Sequence, residues 1–183
     1  MNEELELLKS IAEKFESADI EYMLTGSMAM AFYSTPRMTR DIDIIIQISG
    51  GDVDKIIDLF HDDFYIEEES VRRAVLNRGM FNIIHNDSII KVDLIIRKDE
   101  KYRIEEFTHK KKIPVEGVSI SVAAPEDLIL SKLVWSKQSQ SELQFRDVRQ
   151  MMMVLKDLNY GYLEKWAKVL HVDDLLRKVK EHD

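Results

Sequence analysis

Asp41-Ile42-Asp43 opens an otherwise apolar β-branched run, Asp41 to Ile48, that reads as a strand. Side chains two apart on a strand share a face, so the two carboxylates project together while Ile42, Ile44 and Ile46 point the other way. Like charges held together and away from water need a counter-charge. A divalent cation supplies one, and Mg²⁺ (or Mn²⁺) takes oxygen ligands, commonly one or two carboxylates plus substrate phosphates. Lys91-Val92-Asp93-Leu94-Ile95-Ile96 sets one further acid in a second apolar run. If the two strands are neighbours, Asp41, Asp43 and Asp93 converge, and two metals about 3.5–4 Å apart there could activate an attacking hydroxyl and stabilise the leaving pyrophosphate.

Upstream, Tyr22-Met23-Leu24 reads as a short buried strand that runs into Thr25-Gly26-Ser27. Glycine lets the backbone approach a phosphate closely, the helix start that follows offers free N–H groups, and Ser27 adds a hydroxyl donor. Each piece alone has a plain structural reading: an Asp-x-Asp is usually an edge acid or cap, and a Gly-Ser before a helix is usually a turn and N-cap. Their conjunction carries more. Thirteen residues separate Ser27 from Asp41, in the order strand, Gly-Ser, helix, loop, Asp-Ile-Asp strand, later Asp strand.

Leu24-Thr25-Gly26-Ser27, that spacing and Asp41-Ile42-Asp43-Ile44 resemble the signature of the DNA-polymerase-β-like nucleotidyltransferase superfamily, with Thr25 in place of an apolar residue. Asp93 matches the superfamily's third acid. Ala124-Pro125-Glu126-Asp127-Leu128 through Leu133, followed by Arg146-Asp147-Val148, resembles the small prokaryotic branch that includes the nucleotidyltransferase toxins of abortive-infection systems. The resemblance implies a nucleotidyltransferase-like α+β fold, a mixed sheet flanked by helices with a helical C-terminal part. It implies transfer of a nucleoside monophosphate from a nucleoside triphosphate to a hydroxyl of RNA, protein or a small molecule. Asp41, Asp43 and Asp93 would be catalytic and metal-binding, and Gly26, Ser27 and Lys132 would hold the triphosphate. An antitoxin-type protein partner goes with the toxin branch. A catalytically inactive nucleotide-binding or protein-interaction module of the same fold is the alternative, and the three intact acids argue against it.

Other residues have plainer readings. Lys132 is either functional or an exposed helix lysine, and Arg146-Asp147 reads first as a helix-surface pair. Arg37 and Arg40 flank the Asp-x-Asp strand and read first as balancing its acids. His61, His85, His109, His171 and His182 lack metal-ligand spacing. Met151-Met152-Met153 reads as helix packing, and Trp135 and Trp166 as core or interface anchors.

The elements that must position the acids follow from periodicity. Glu4 to Phe15 is helical, as is Val53 to Phe60 beyond the Gly50-Gly51 break. Phe64 to Ile66 is a possible strand, and Met80 to Ile84 and Ile89 to Ile96 form a hairpin about Asn86-Asp87-Ser88. Val115 to Val122 reads as one strand. Pro125-Glu126-Asp127 starts a run of helices, since proline suits the first turn and early acids favour the positive end of the helix dipole. Residues 1–124 thus read as an α/β core and 125–183 as a helical part packed on it, with no flexible linker between them.

Composition sets the outer limits. The chain has 183 residues, 45% of them apolar, enough for a sizeable core. A formal charge of −8 argues against sequence-indifferent nucleic-acid binding, which depends on cations neutralising phosphates. Lys110-Lys111-Lys112 reads as a solvated turn. With no cysteine, disulfides and thiolate metal sites are excluded. No apolar stretch is long enough to span a bilayer, and the acidic N-terminus lacks the features of a signal peptide, so the expected compartment is the cytoplasm.

Overall fold

A computed structural model describes residues 2–35 and 41–181. Seven strands form one mixed sheet: β1 (Glu21–Thr25), β2 (Ile42–Gln47), β3 (Phe64–Ile66), β4 (Met80–His85), β5 (Lys91–Ile96), β6 (Lys111–Val115) and β7 (Val118–Val122), in the order β3-β4-β5-β2-β1-β7-β6. The β2/β5 and β1/β7 pairs are parallel and the others antiparallel. Two helices precede β2: α1 (Asn2–Ser17) and α2 (Gly26–Met30). Between strands lie α3 (Val53–Phe60), α4 (Glu68–Asn77) and α5 (Lys101–Thr108), and after β7 come α6 (Pro125–Ser139), α7 (Glu142–Val154), α8 (Tyr160–Val169) and α9 (Asp173–Lys180).

The period of two along the strands sorts the sheet into two faces. Ile42, Ile44 and Ile46, Val92, Leu94 and Ile96 are all fully buried on one face. By register Tyr22 and Leu24 join that face. It is closed by α1 and α3, with Phe15 stacked on Tyr22 at 5.3 Å between ring centres and meeting Phe60 edge-on at 5.5 Å. The opposite face carries Thr25, Asp43, Ile45, Asp93 and Ile95. It is covered only in part by α6, whose Leu128, Ile129, Leu130 and Leu133 are buried in the same core cluster as the sheet.

Three features depart from the sequence reading. The single strand expected over Val115 to Val122 is a hairpin of β6 and β7, turned at Glu116-Gly117 with φ of 47° and 92°. Glycine takes the second position because its missing Cβ removes the penalty for positive φ. The helices α4 and α5, absent from the sequence reading, bury little: Val71 and Ala74 in one, Tyr102, Glu106 and Phe107 in the other. The Lys110–Lys112 run is not a turn: Lys110 lies just before β6 and pairs with Glu21, and Lys112, within β6, pairs with Glu16. Among the described residues no helix is long and apolar enough to cross a membrane.

Candidate active site

The site begins at a polar row across the open face. Asn82 on β4 is in register with Asp93 on β5, Asp93 with Asp43 on β2, and Asp43 with Thr25 on β1. Register partners on adjacent strands lie about 4.8 Å apart and point to the same side, so Asp43 and Asp93 are side-by-side carboxylates. The Asn82 amide donates to Asp93 at 3.1 Å. Thr25, which departs from the superfamily's apolar residue, is buried at the end of this row.

Gly26 closes the row from above. Its φ is +68°, and a Cβ built there would stand 2.0 Å from Asp43 Oδ2. No other residue type leaves room for that carboxylate. Ser27 is buried beside it, in the five-residue helix α2.

Asp41 lies just before β2 and is exposed. The Lys91 ammonium stands between it and Asp93, at 3.9 Å from one and 3.0 Å from the other. Among the described residues no three acidic or imidazole side chains form a preassembled metal-ligand set. The donor set nevertheless suits a hard divalent cation: carboxylate oxygens only, in a crowded cluster. Burial, then repulsion from Asp93 and Asp41, pushes the Asp43 carboxyl up to about 6, against the pull of Lys132 and Lys91. The hydrogen bond to Asp93 raises the Lys91 ammonium in turn.

Lys132, on α6, overturns the reading of an exposed helix lysine: it is 2% exposed. Its ammonium donates to Asp147 at 2.7 Å and to Gln144 at 3.0 Å, both on α7. Asp147 is likewise buried, not a helix-surface acid. Lys132 lines the same cleft as Asp43 and Asp93. The groups that surround the acids therefore come from three sources: Lys91 and Asn82 in the sheet, Gly26 in the turn and Lys132 between two helices.

The cleft has a volume of about 500 Å³ and runs along β2 and β5 beneath α6. Beyond the acids its floor is Ile45 and Ile95, with Met80 beside them by register. Trp135, 49% exposed, stands on its wall and is not a core anchor, whereas Trp166 is buried in the core. Glu106 is 1% exposed and held by Arg103 at 2.7 Å and by the Ser131 hydroxyl at 2.5 Å. Burial raises the Glu106 carboxyl despite the neighbouring Arg103 guanidinium.

Asn82, Arg103 and Glu106 lie in no motif of the sequence and enter through register and helix packing alone. Lys91 has a signal, two residues before Asp93 on the same strand face, and Ser131 falls inside the 124–133 segment, one residue before Lys132. Of the flanking arginines, Arg37 and Arg40 lie outside the described residues, as does His182. Met151 and Met152 are buried as helix packing requires, while Met153 is 67% exposed.

No curated protein matches the sequence. Among solved structures, an antigenic nucleotidyltransferase-like protein from Paracoccidioides brasiliensis superposes with a TM-score of 0.63 at 15% identity, over 98% of this chain and 93% of that one. ANT(2'')-Ia in complex with adenylyl-2''-tobramycin gives 0.62 at 14% identity, over 93% and 98%. The lincosamide antibiotic adenylyltransferase LnuA, lincomycin-bound, gives 0.56 at 15% identity, over 85% and 98%. At such identities these likenesses establish the nucleotidyltransferase-like fold. Residues 7–128, a span that contains Gly26, Asp41, Asp43 and Asp93, match a family at the level of sequence: this chain belongs to the aminoglycoside-2''-adenylyltransferase family.

Proposed function

We propose that the protein transfers AMP from ATP to a hydroxyl of a small molecule, releasing pyrophosphate. The observation that carries this reading is the register of Asp43 beside Asp93, with the Asp43 carboxylate against the bare α-carbon of Gly26. In the transfer, the acceptor oxygen bonds to the α-phosphorus, the bond from that phosphorus to the bridging oxygen breaks, and the hydroxyl proton leaves toward Asp93.

Asp41, Asp43 and Asp93 would hold Mg²⁺ or Mn²⁺, which when bound supplies positive charge to the phosphoryl oxygens and acidity to the hydroxyl. Gly26 lets the phosphate chain lie against the backbone, and Ser27 and Lys132 flank it. Lys132 is fixed by Asp147 and Gln144, so its charge is positioned before substrate arrives. Lys91 neutralises Asp41 and Asp93 in the meantime.

The family's name and the antibiotic-modifying structures support a small-molecule acceptor over RNA or protein. They lend no support to a toxin role or an antitoxin partner. The test is incubation of the protein with each α-labelled nucleoside triphosphate, Mg²⁺ or Mn²⁺, and a panel of hydroxyl compounds, beside Asp43→Asn. Label from ATP entering a small molecule with wild type alone is the expected result. Tight ATP binding without transfer to any acceptor would favour the inactive nucleotide-binding module.

A further inference from the structure

The cleft floor changes character in steps of two residues along the parallel strands. Asp43 and Asp93 form the first row, Ile45 and Ile95 the next, and Gln47 and Arg97 the row beyond. Four residues of strand, about 13 Å, separate Asp93 from Arg97. Because β4 runs antiparallel to β5, the residues just before Met80 come to the same end, and Gly79 accepts a hydrogen bond from Ile96. Arg78, Arg97 and Lys98 thereby line one end of the cleft that has the acids at the other.

This end is cationic, and its guanidiniums are held in place. Arg97 is fixed by its Nε donating to Gln47 at 2.9 Å and one terminal nitrogen to the Lys98 carbonyl at 2.9 Å. Its other terminal nitrogen stands 3.1 Å from Asp99, and Arg78 stands 2.9 Å from the second oxygen of the same carboxylate. One carboxylate is thus shared by two guanidiniums, with Lys98 beside them. Asp99 itself is 59% exposed, and exposed ion pairs contribute little to stability, so it can be displaced at small cost. A phosphate or carboxylate on a ligand would meet the forked donors that already fit Asp99. Glu106, another carboxylate that lines the cleft, is engaged by Arg103 and Ser131. A polycationic aminoglycoside lying along the cleft would put its charge against this end.

Resting on the adenylyl-transfer reading, we infer that the acceptor is an anionic hydroxyl compound. Its phosphate or carboxylate is held by Arg78, Arg97 and Lys98 in place of Asp99, its body lies over Ile45 and Ile95, and its hydroxyl reaches the acids. The nucleotide's own phosphates are assigned to the Gly26 end and do not need these cations.

The test has two arms on the full chain. In the first, inorganic phosphate is titrated, at constant ionic strength in chloride, into protein saturated with a non-hydrolysable ATP analogue. Binding should occur in wild type, tighten severalfold in Asp99→Asn, and vanish in Arg78→Ala/Arg97→Ala, with each variant's melting checked. Phosphate binding that disappears once the analogue is present, or is unchanged in Asp99→Asn, would overturn the subsite. In the second, a small-molecule extract is split by ion exchange and offered with α-labelled ATP. Label in the anionic fraction, reduced at least about tenfold in the double variant with analogue affinity unchanged, sustains the inference; label only in tobramycin or the cationic fraction overturns it. A double variant that instead loses affinity for the analogue would show these arginines to be a triphosphate subsite, and would also overturn it. Phosphate binding as expected, with no compound labelled at all, would sink the transfer reading while sustaining the anion subsite.

Discussion

The Asp43 carboxylate rests against the α-carbon of Gly26, at a distance no Cβ could share. Two constraints meet at this one position: a φ of +68°, which side chains resist, and the 2.0 Å clash with Oδ2. Gly26→Ala should therefore lower the melting temperature, by an amount corresponding to about 1–3 kcal/mol, and displace Asp43. Loss of transfer should exceed what partial unfolding explains at the assay temperature. A Gly26→Ala protein that melts and reacts like wild type would remove the reason for assigning the turn to the site.

Asp43→Asn should separate stability from activity. The Asp43 carboxyl titrates near 6 in the fold against an ordinary value near 3.8, so the folded state favours the protonated form. Ionised Asp43 consequently costs stability, at most about 3 kcal/mol, as pH rises above the lower value, and the cost is complete above the higher one. At pH 7.5 the variant should melt at or above wild type without added metal. The difference should shrink to nothing as pH falls toward about 4. Transfer should fall by several orders of magnitude at any pH, since each ~1.4 kcal/mol of lost transition-state stabilisation is tenfold in rate. Thermal melts across pH beside the labelled-ATP assay check both statements.

Lys91 offers a measurement on the metal site that needs no turnover. Its ammonium sits between Asp41 and Asp93. Lys91→Met removes that counter-charge and leaves the repulsion of Asp43 by Asp93 and Asp41 less opposed. The apo protein should melt lower than wild type, and millimolar Mn²⁺ should raise its melting temperature by more than it raises that of wild type, because ligand that binds only the native state stabilises it. An equal or smaller Mn²⁺ response in Lys91→Met would count against cation binding at these carboxylates.

Lys132 cannot be removed without structural cost. It forms a buried pair with Asp147, and breaking such a pair by deleting one partner typically costs about 3–5 kcal/mol, because the remaining charge is left buried. Lys132→Met should thus destabilise the fold strongly. Lys132→Met/Asp147→Leu should recover most of that stability and still bind ATP more weakly than wild type. Recovery of stability together with full ATP affinity would reduce Lys132 to a structural cation.

Much of the site's first row is legible in the amino-acid sequence. The two-residue strand period sets Asp43 on the face opposite Ile42, Ile44 and Ile46, whereas Asp41, expected on the same strand face, lies just before β2. A glycine at the end of an apolar strand marks a turn, and a proline followed by acids marks the start of α6. These are local regularities, imposed by backbone geometry on neighbours in the chain. What surrounds that row is not legible there, because it depends on pairings between distant segments. Asn82 reaches Asp93 only through the β4/β5 register, and Arg78 meets Arg97 only because those strands run antiparallel. Lys132 becomes a buried charge only because α7 brings Asp147 against α6. The helices α4 and α5 are not legible there either: each buries only two apolar side chains, Val71 and Ala74 in one and Tyr102 and Phe107 in the other, and packing against the rest of the molecule holds them helical. Residue types and local spacing are thus readable from the chain, while the charges set around the acids and the cleft they open into are products of the tertiary fold.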